Sequence, residues 1–326
     1  MPLNNEPSLE AVDNPERGVS QDKIQEHEGV EENRFTRLYR EIARRNAKTV
    51  AAWQAYGFMN GVLNSDNTSV YGLSIDYGPF AFMDNFDPNY TPNHDDHMLR
   101  YSYKNQPSVI WWNLVRLGES LGELMGAGRN VDEENFVKEG FSEESAPAAV
   151  KHAEDIIDRV GNEFRAVFLN EYKRLMSKRL GLKTWKETDF QVLFSEILDT
   201  LEALELDFNH FFRRLSQLKL SDIETDEKRK ETAAIFFHTE GFGGIGYTED
   251  SAKERIAKWI DSWRQRVLED WGDGDHDTER QSAMKAVNPN VSSWNLSKPY
   301  TYSCLDEFVP LTRTFLTKVP AAWVDS

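Results

Sequence analysis

Four side chains between residues 64 and 76 are of the types that handle a hard cation and a phosphate: Asn64, Asp66, Asn67 and Asp76. The first three share a polar turn-forming stretch, and Asp76 follows ten residues after Asp66. A tight hairpin across that interval would return the chain to its start and set Asp66 and Asn67 beside Asp76. Clustered carboxylate and amide oxygens suit Mg²⁺ or Mn²⁺, which take a few protein ligands and complete their shells with water and phosphate. Asn and Asp also crowd into turns for a plainer reason, because their side chains bond nearby backbone groups. Spacing alone leaves a structural turn and a metal site both open.

The flanking sequence supplies elements that would position this stretch. From Glu31 to Asn60 the pattern is helical, with Phe35, Leu38, Ile42, Val50, Trp53 and Tyr56 mostly on one face. Gly57 and Asn60-Gly61 offer places to end that helix. Ser69 to Ile75 is a run too short for a helix, bounded by turn residues, and predicts a β-like unit. A loop rich in Asp, Asn, Pro and aromatic residues follows, to about Asn105. Pro107 predicts the start of a helix running to about Met125. Further helices are expected near 146–180, 187–218 and 250–270, the last beginning at a capping box over Ser251–Glu254.

Other motifs read as structural. Gly241-Phe242-Gly243-Gly244-Ile245-Gly246 matches G-x-G-x-x-G, but no later strand completes the βαβ unit that a dinucleotide needs. His94 and His97 sit in a predicted loop with no third histidine-rich element to complete a zinc site. Trp53, Trp111 and Trp112 are expected in the core. His210 to Arg214 reads as the last turns of an amphipathic helix.

Asp76-Tyr77-Gly78 has the shape of the Asp-Phe-Gly element of protein kinases, whose Asp holds the metal bridging the ATP phosphates. Longer segments narrow the reading. WQAYGFMNGVLNSDN (53–67) and GLSIDYGPF (72–80) are followed by FDPNY (86–90), NHDDH (93–97), RYSYKNQP (100–107) and WNLVRLGESL (112–121). Weaker matches come at LDFNHFFRRLSQL (206–218), KWIDSWRQRVLEDW (258–271) and SAMKAVNPN (282–290). Together these resemble the selenoprotein O family of kinase-fold protein adenylyltransferases, over residues 31–290 and in its C-terminal portion only.

The resemblance implies a mainly α chain, the helical C-lobe of a protein-kinase-like fold, with a short β-hairpin carrying the metal-binding segment. It implies metal-dependent transfer of AMP from ATP to Ser, Thr or Tyr hydroxyls of protein substrates. Asp66 would accept the proton of the attacking hydroxyl. Asn67 and Asp76 would hold Mg²⁺ or Mn²⁺, and Asp76 would also face the nucleotide phosphates. The family's inverted nucleotide directs attack to the α-phosphate. Adjacent Asp66 and Asn67 differ from an ordinary kinase catalytic loop, where about four residues separate the pair.

The chain also departs from the family. The nucleotide-grasping lobe would fall before Met1, so an alternative reading is a non-catalytic helical interaction protein or a truncated remnant of the enzyme. Asn60 stands where many members carry His, Ser65 where they carry Thr, and Leu99 replaces a Gly before Arg100-Tyr101. The tail diverges after Ala286-Val287-Asn288-Pro289, and Cys304 reads as an incidental thiol rather than the family's redox residue.

Composition bounds the rest. A hydrophobic content of 39% with 12% aromatics is that of a globular chain. The net charge of −17 argues against nucleic acid or an anionic membrane as the main partner. Nine acids against two bases between Met1 and Asn33 mark residues 1–30 as an acidic, disordered lead-in. Residues 291–326 read as an irregular tail. No apolar run is long enough to span a bilayer, and one cysteine excludes an internal disulfide. The resemblance implies a mitochondrial location in eukaryotes, yet no targeting sequence is visible at the N-terminus, which would otherwise mean a cytoplasmic protein. Oligomeric state is not implied.

Overall fold

The structure is a computed structural model that describes residues 32–238, 241–273 and 275–288. The expected lead-in 1–30, the tail 291–326 and Cys304 lie outside those residues. Within them the chain is mainly helical, with one two-stranded antiparallel sheet. No described helix is long and apolar enough to cross a membrane.

Helix α1 (Arg34–Tyr56) begins where Asn33 Oδ1 accepts from the backbone N–H groups of Phe35 and Thr36, the usual role of an N-cap side chain. It ends at Gly57, whose φ of 67° is the left-handed conformation that stops a helix. The sheet follows at once. β1 (Phe58–Met59) pairs with β2 (Ala81–Phe82), Phe58 opposite Phe82 and Met59 opposite Ala81. The sheet is thus built from residues on either side of the predicted β-like run. Residues 69–75 form no strand, and a single antiparallel bridge, Thr68 to Ser74, is all the pairing they make. The reason is local: Gly72 N–H bonds back to Ser69 O, and Gly72 and Asp76 both adopt positive φ.

The helices then run as α2 (Gln106–Ser120), with Pro107 in its first turn, α3 (Gly122–Gly126), α4 (Glu134–Glu139) and the long α5 (Ala146–Arg179). The single helix expected over 187–218 is divided. α6 (Glu187–Asp189) passes through a π-helical turn (Phe190–Ser195) into α7 (Glu196–Ala203), and α8 (Phe208–Leu215) starts afresh. Glu205 at a φ of 50° breaks the run, and Asp207 restarts it by accepting from His210 N–H. α9 (Asp226–Ala233), α10 (Glu249–Trp271) and α11 (Asp277–Val287) complete the order. The capping box of α10 joins Thr248 and Ser251, three residues ahead of the predicted one.

By contact density the chain divides into two compact units, and α1 and α5 contribute residues to both. The first comprises the described residues of Met1–Ala51, with Val62–Gly78 and Asn105–Asn170. Its core is built from Tyr39, Ile42, Ala43, Ala47 and Val50 of α1, Ile110 and Leu114 of α2, and Ile156, Val160 and Phe164 of α5. Gly118 and Gly161 lie against the rings of Tyr39 and Trp111, where a methyl group would clash. Trp112, expected in the core, is 47% exposed instead, on the opposite side of α2 from Ile110 and Leu114.

The second unit comprises Ala52–Gly61, Pro79–Lys104 and the described residues from Glu171 onward. α10 runs through its core with Trp259, Ile260, Trp263 and Val267 buried. The indole N–H groups of Trp259, Trp263 and Trp271 donate to Leu193 O, Leu180 O and Gly181 O, so burial leaves none of these donors unpaired. Arg179 is fully buried here and lies 3.9 Å from the ring centre of Phe212. Burial pulls its pKa down to about 10, which leaves it a cation at neutral pH.

Candidate functional site

The stretch Val62–Gly78 is short, polar and held from outside itself. A 3₁₀ turn over Ser65–Asn67 is closed by Asn67 N–H to Asn64 O and Thr68 N–H to Ser65 O, both 3.2 Å. On the far side of the turn, Asn46 of α1 donates to Ser69 O at 2.9 Å, and the Thr49 hydroxyl donates to Gly72 O. A Cβ on Gly72 would stand 2.7 Å from the backbone of Arg45, so glycine alone allows this close approach. α2 adds Asn113, which donates to Leu63 O and to the Thr68 hydroxyl.

These supports bring together two of the sequence-predicted residues. Asn67 Nδ2 lies 3.2 Å from Asp76 Oδ2, and the same nitrogen donates to Val62 O at 3.0 Å. Asp76 sits at a φ of 58°, uncommon for a non-glycine residue, and its Oδ1 accepts from Gly78 N–H at 3.1 Å. The carboxylate is thus turned back toward Asn67. Asp66, next to Asn67, is exposed and takes no hydrogen bond on its side chain from any described residue. Asn64 is exposed as well and contributes its backbone oxygen rather than its side chain.

The donor chemistry fits a divalent hard cation. Both amide hydrogens of Asn67 are directed at oxygens, which leaves its Oδ1 as an acceptor next to the Asp76 carboxylate. Among the described residues no three His, Cys, Asp or Glu side chains are grouped to hold a metal by themselves. One carboxylate and one amide oxygen match the Mg²⁺ habit of sharing its shell with water and substrate phosphates.

A profile of the family described as "Protein adenylyltransferase SelO" matches residues 21–301. The chain belongs to the SelO family. It is 37% identical over 285 residues to "Protein adenylyltransferase SelO, mitochondrial" of Schizosaccharomyces pombe, covering 86% of this chain and 49% of that protein. To the protein of the same name in Saccharomyces cerevisiae it is 38% identical over 229 residues, 63% of this chain and 32% of the relative. To "Protein nucleotidyltransferase YdiU" of Pseudomonas aeruginosa it is 33% identical over 270 residues, 82% of this chain and 45% of the relative. The chain spans about half the length of the first of these relatives and less of the others.

Within this SelO-family chain the motifs set aside on sequence grounds remain structural. The described glycines of 241–246 lie in a loop ahead of α10, and no described strand leads into them beyond one bridge between His238 and Gly241. His94 and His97 are exposed, and both oxygens of the intervening Asp96 accept backbone N–H groups, from Arg100 and Tyr101. Sequence reasoning missed Asn46, Thr49 and Asn113. Their signal was a polar residue on the buried face of a helix, which periodicity counts register only as an interruption.

Proposed function

We propose that this chain carries the metal-binding and proton-accepting half of a protein adenylyltransferase. The observation that carries the reading is the Asn67–Asp76 contact, with Asp66 exposed one residue away. Residues 31–290 would form the helical C-lobe of a kinase-like fold. Asn67 Oδ1 and Asp76 would hold Mg²⁺ or Mn²⁺. The ion, when bound, neutralises phosphate charge and fixes the triphosphate for displacement.

The chain's own groups then have definite tasks. Asp66 takes the proton of a Ser, Thr or Tyr hydroxyl as that oxygen attacks the α-phosphorus of ATP. The bond from the α-phosphorus to the bridging oxygen breaks, pyrophosphate leaves, and AMP is joined to the protein through a phosphodiester. An exposed carboxylate at a turn suits this role, because a protein substrate must reach it from solvent. Asp76, fixed by Gly78 N–H, supplies a carboxylate whose direction is set before the ion arrives, a form of preorganisation. The names of the relatives, protein adenylyltransferase and protein nucleotidyltransferase, support this chemistry. Both yeast relatives are named mitochondrial, and the proposal extends that compartment to this chain, to be checked by import into isolated mitochondria.

The test gives the purified chain Mn²⁺ with ATP labelled at the α-phosphate, beside ATP labelled at the γ-phosphate. Protein labelling from the α-position alone, reduced by about 100-fold or more in Asp76→Ala, is the expected result. Label from the γ-position alone would replace AMP transfer with a kinase reaction. No label from a folded sample would favour the second reading, a non-catalytic helical interaction protein.

A further inference from the structure

The turn that presents Asp66 and Asn67 is clamped at both ends by one amide group. Asn113 Nδ2 donates to Leu63 O at 2.9 Å, just before the turn, and to Thr68 Oγ1 at 2.8 Å, just after it. The Thr68 hydroxyl passes its own hydrogen to Asn64 O at 3.4 Å. Amide, hydroxyl and carbonyl thus form a relay of one polarity, and reversing the Asn113 amide would set oxygen against oxygen at Leu63 and draw the Thr68 hydrogen away from Asn64 O.

The position of Asn113 argues against a packing role. It is 3% exposed, on the face of α2 that buries Ile110 and Leu114, where an apolar side chain would pack at no polar cost. Its Oδ1 is buried without a hydrogen-bond partner among the described residues. An amide that leaves one buried atom unsatisfied is destabilising in itself, so its two donated bonds account for its presence. Both targets are acceptors, and an amide nitrogen offers two donor hydrogens with no charge. A hydroxyl has one donor, a carboxylate none, and a lysine or arginine would bring a buried cation. Asn64, Ser65 and Asp66, between the clamped ends, are exposed and have no core of their own to fix them.

We propose that Asn113 is a positioning residue for the candidate site, holding the 64–67 turn so that Asn67 keeps its place beside Asp76, with Asp66 presented one residue before it. The inference rests on the reading of Asn67 and Asp76 as metal ligands. It assigns Asn113 no contact with metal, nucleotide or substrate.

The experiment measures Mn²⁺ binding to the full chain by electron paramagnetic resonance, with amide hydrogen exchange across residues 62–70 as a second readout. Four variants are compared with the unaltered chain: Asn113→Leu, Thr68→Val, Thr68→Ser and Asp76→Ala. Asn113→Leu keeps the branching at Cγ, with more bulk, and removes both bonds, and its Mn²⁺ affinity should fall about 10-fold, in the range seen when a metal ligand loses its outer support. Exchange should quicken in the turn and stay unchanged in α1 and α5, a pattern that general destabilisation does not give. Thr68→Val should show a smaller loss, and Thr68→Ser, which restores the hydroxyl, should return the affinity to that of the unaltered chain. Unchanged affinity and exchange in folded Asn113→Leu would overturn the proposal. Where that variant does not fold, Thr68→Val decides: unchanged affinity overturns the clamp, and a loss rescued by Thr68→Ser supports it. Mn²⁺ binding that Asp76→Ala leaves intact removes the metal-site reading itself, and the positioning role with it, a result distinct from failure of the clamp alone.

Discussion

Val62–Gly78 and α10 are held by different forces. The first stretch buries only Leu63 and Gly72, and it exposes Asn64, Ser65, Asp66, Val70, Tyr71, Ile75, Asp76, Tyr77 and Gly78. Its shape comes from directional bonds: Asn46, Thr49 and Asn113 reaching backbone oxygens, and two positive-φ residues. α10 buries nine residues, three of them tryptophans whose indoles are anchored to backbone carbonyls. Burial of apolar area is non-directional and large, whereas a few hydrogen bonds are individually worth about 1 kcal/mol net. The first arrangement fixes where particular atoms point at little gain in stability, and the second fixes little about any one atom while supplying most of the free energy. Substitutions in the two regions should therefore separate binding from stability.

The largest stability effect belongs to α10. Trp263 is fully buried and donates to Leu180 O. Trp263→Ala should cost about 3–5 kcal/mol, read from chemical denaturation, through lost contacts, a cavity and an orphaned carbonyl. Mn²⁺ affinity of the remaining folded protein should not move. Asp76→Ala is the mirror image: its loss of metal binding should come with a stability loss of only about 1 kcal/mol, from two exposed hydrogen bonds and a left-handed backbone that Asp tolerates better than Ala. If Asp76→Ala melted the protein as Trp263→Ala does, the contrast between the regions would be wrong.

Gly72→Ala probes where the two regimes meet. The left-handed backbone alone should cost about 1–2 kcal/mol, and the new methyl would press on Arg45. Because Gly72 anchors the segment to α1, weaker Mn²⁺ binding should accompany the lower melting temperature. A stability loss with unchanged affinity would show that this anchor shapes the loop without shaping the site.

An electrostatic contribution to the first unit should show in acid. Glu163 on α5 accepts from Arg40 and Arg44 of α1, and Glu32 also pairs with Arg40. Burial alone would raise the Glu163 pKa, but the hydrogen bonds and charges of the two arginines outweigh it and the net shift is downward. The unfolded chain then binds the proton more readily, so the ion pair's stabilisation is present above about pH 4.3, the unfolded value, and is lost as pH falls through the lower folded one. Thermal melts between about pH 5 and 3 should show this acid limb, and Glu163→Gln should flatten it.

Much of this was legible in the residues. α1, α2, α5 and α10 follow from apolar periodicity, with Gly57 and Pro107 marking boundaries. The approach of Asn67 to Asp76 follows from a turn and a return over ten residues, though the return is made by one bridge and two left-handed residues instead of strands. Two-residue strands carry no alternation to read, so β1 and β2 left no signal beyond their aromatic residues. The break at Glu205 was hidden because Leu204 and Leu206 continue an apolar pattern while the backbone leaves the helix. Asn113 was passed over because its role depends on what lies opposite it, which spacing along one helix does not encode.

Leu99 offers the smallest test. Its φ of 53° is a conformation that glycine adopts freely and leucine does not, which accounts for the glycine expected at this position from the family resemblance. The side chain is 41% exposed and gains little from burial. The local turn is held by backbone bonds, Leu99 N–H to Asp96 O at 3.0 Å and Ser102 N–H to Leu99 O at 3.2 Å, and these are independent of side-chain identity. Leu99→Gly relieves about 1–2 kcal/mol of strain and adds about 0.5–1 kcal/mol of chain entropy to the unfolded state. The net expectation is a gain of about 0.5 kcal/mol, a rise of about 1–2 °C in Tm by calorimetry. A fall in Tm would mean that the exposed leucine makes contacts worth more than its backbone strain, and that this loop is stabilised by burial, as α10 is, and not by directional bonds.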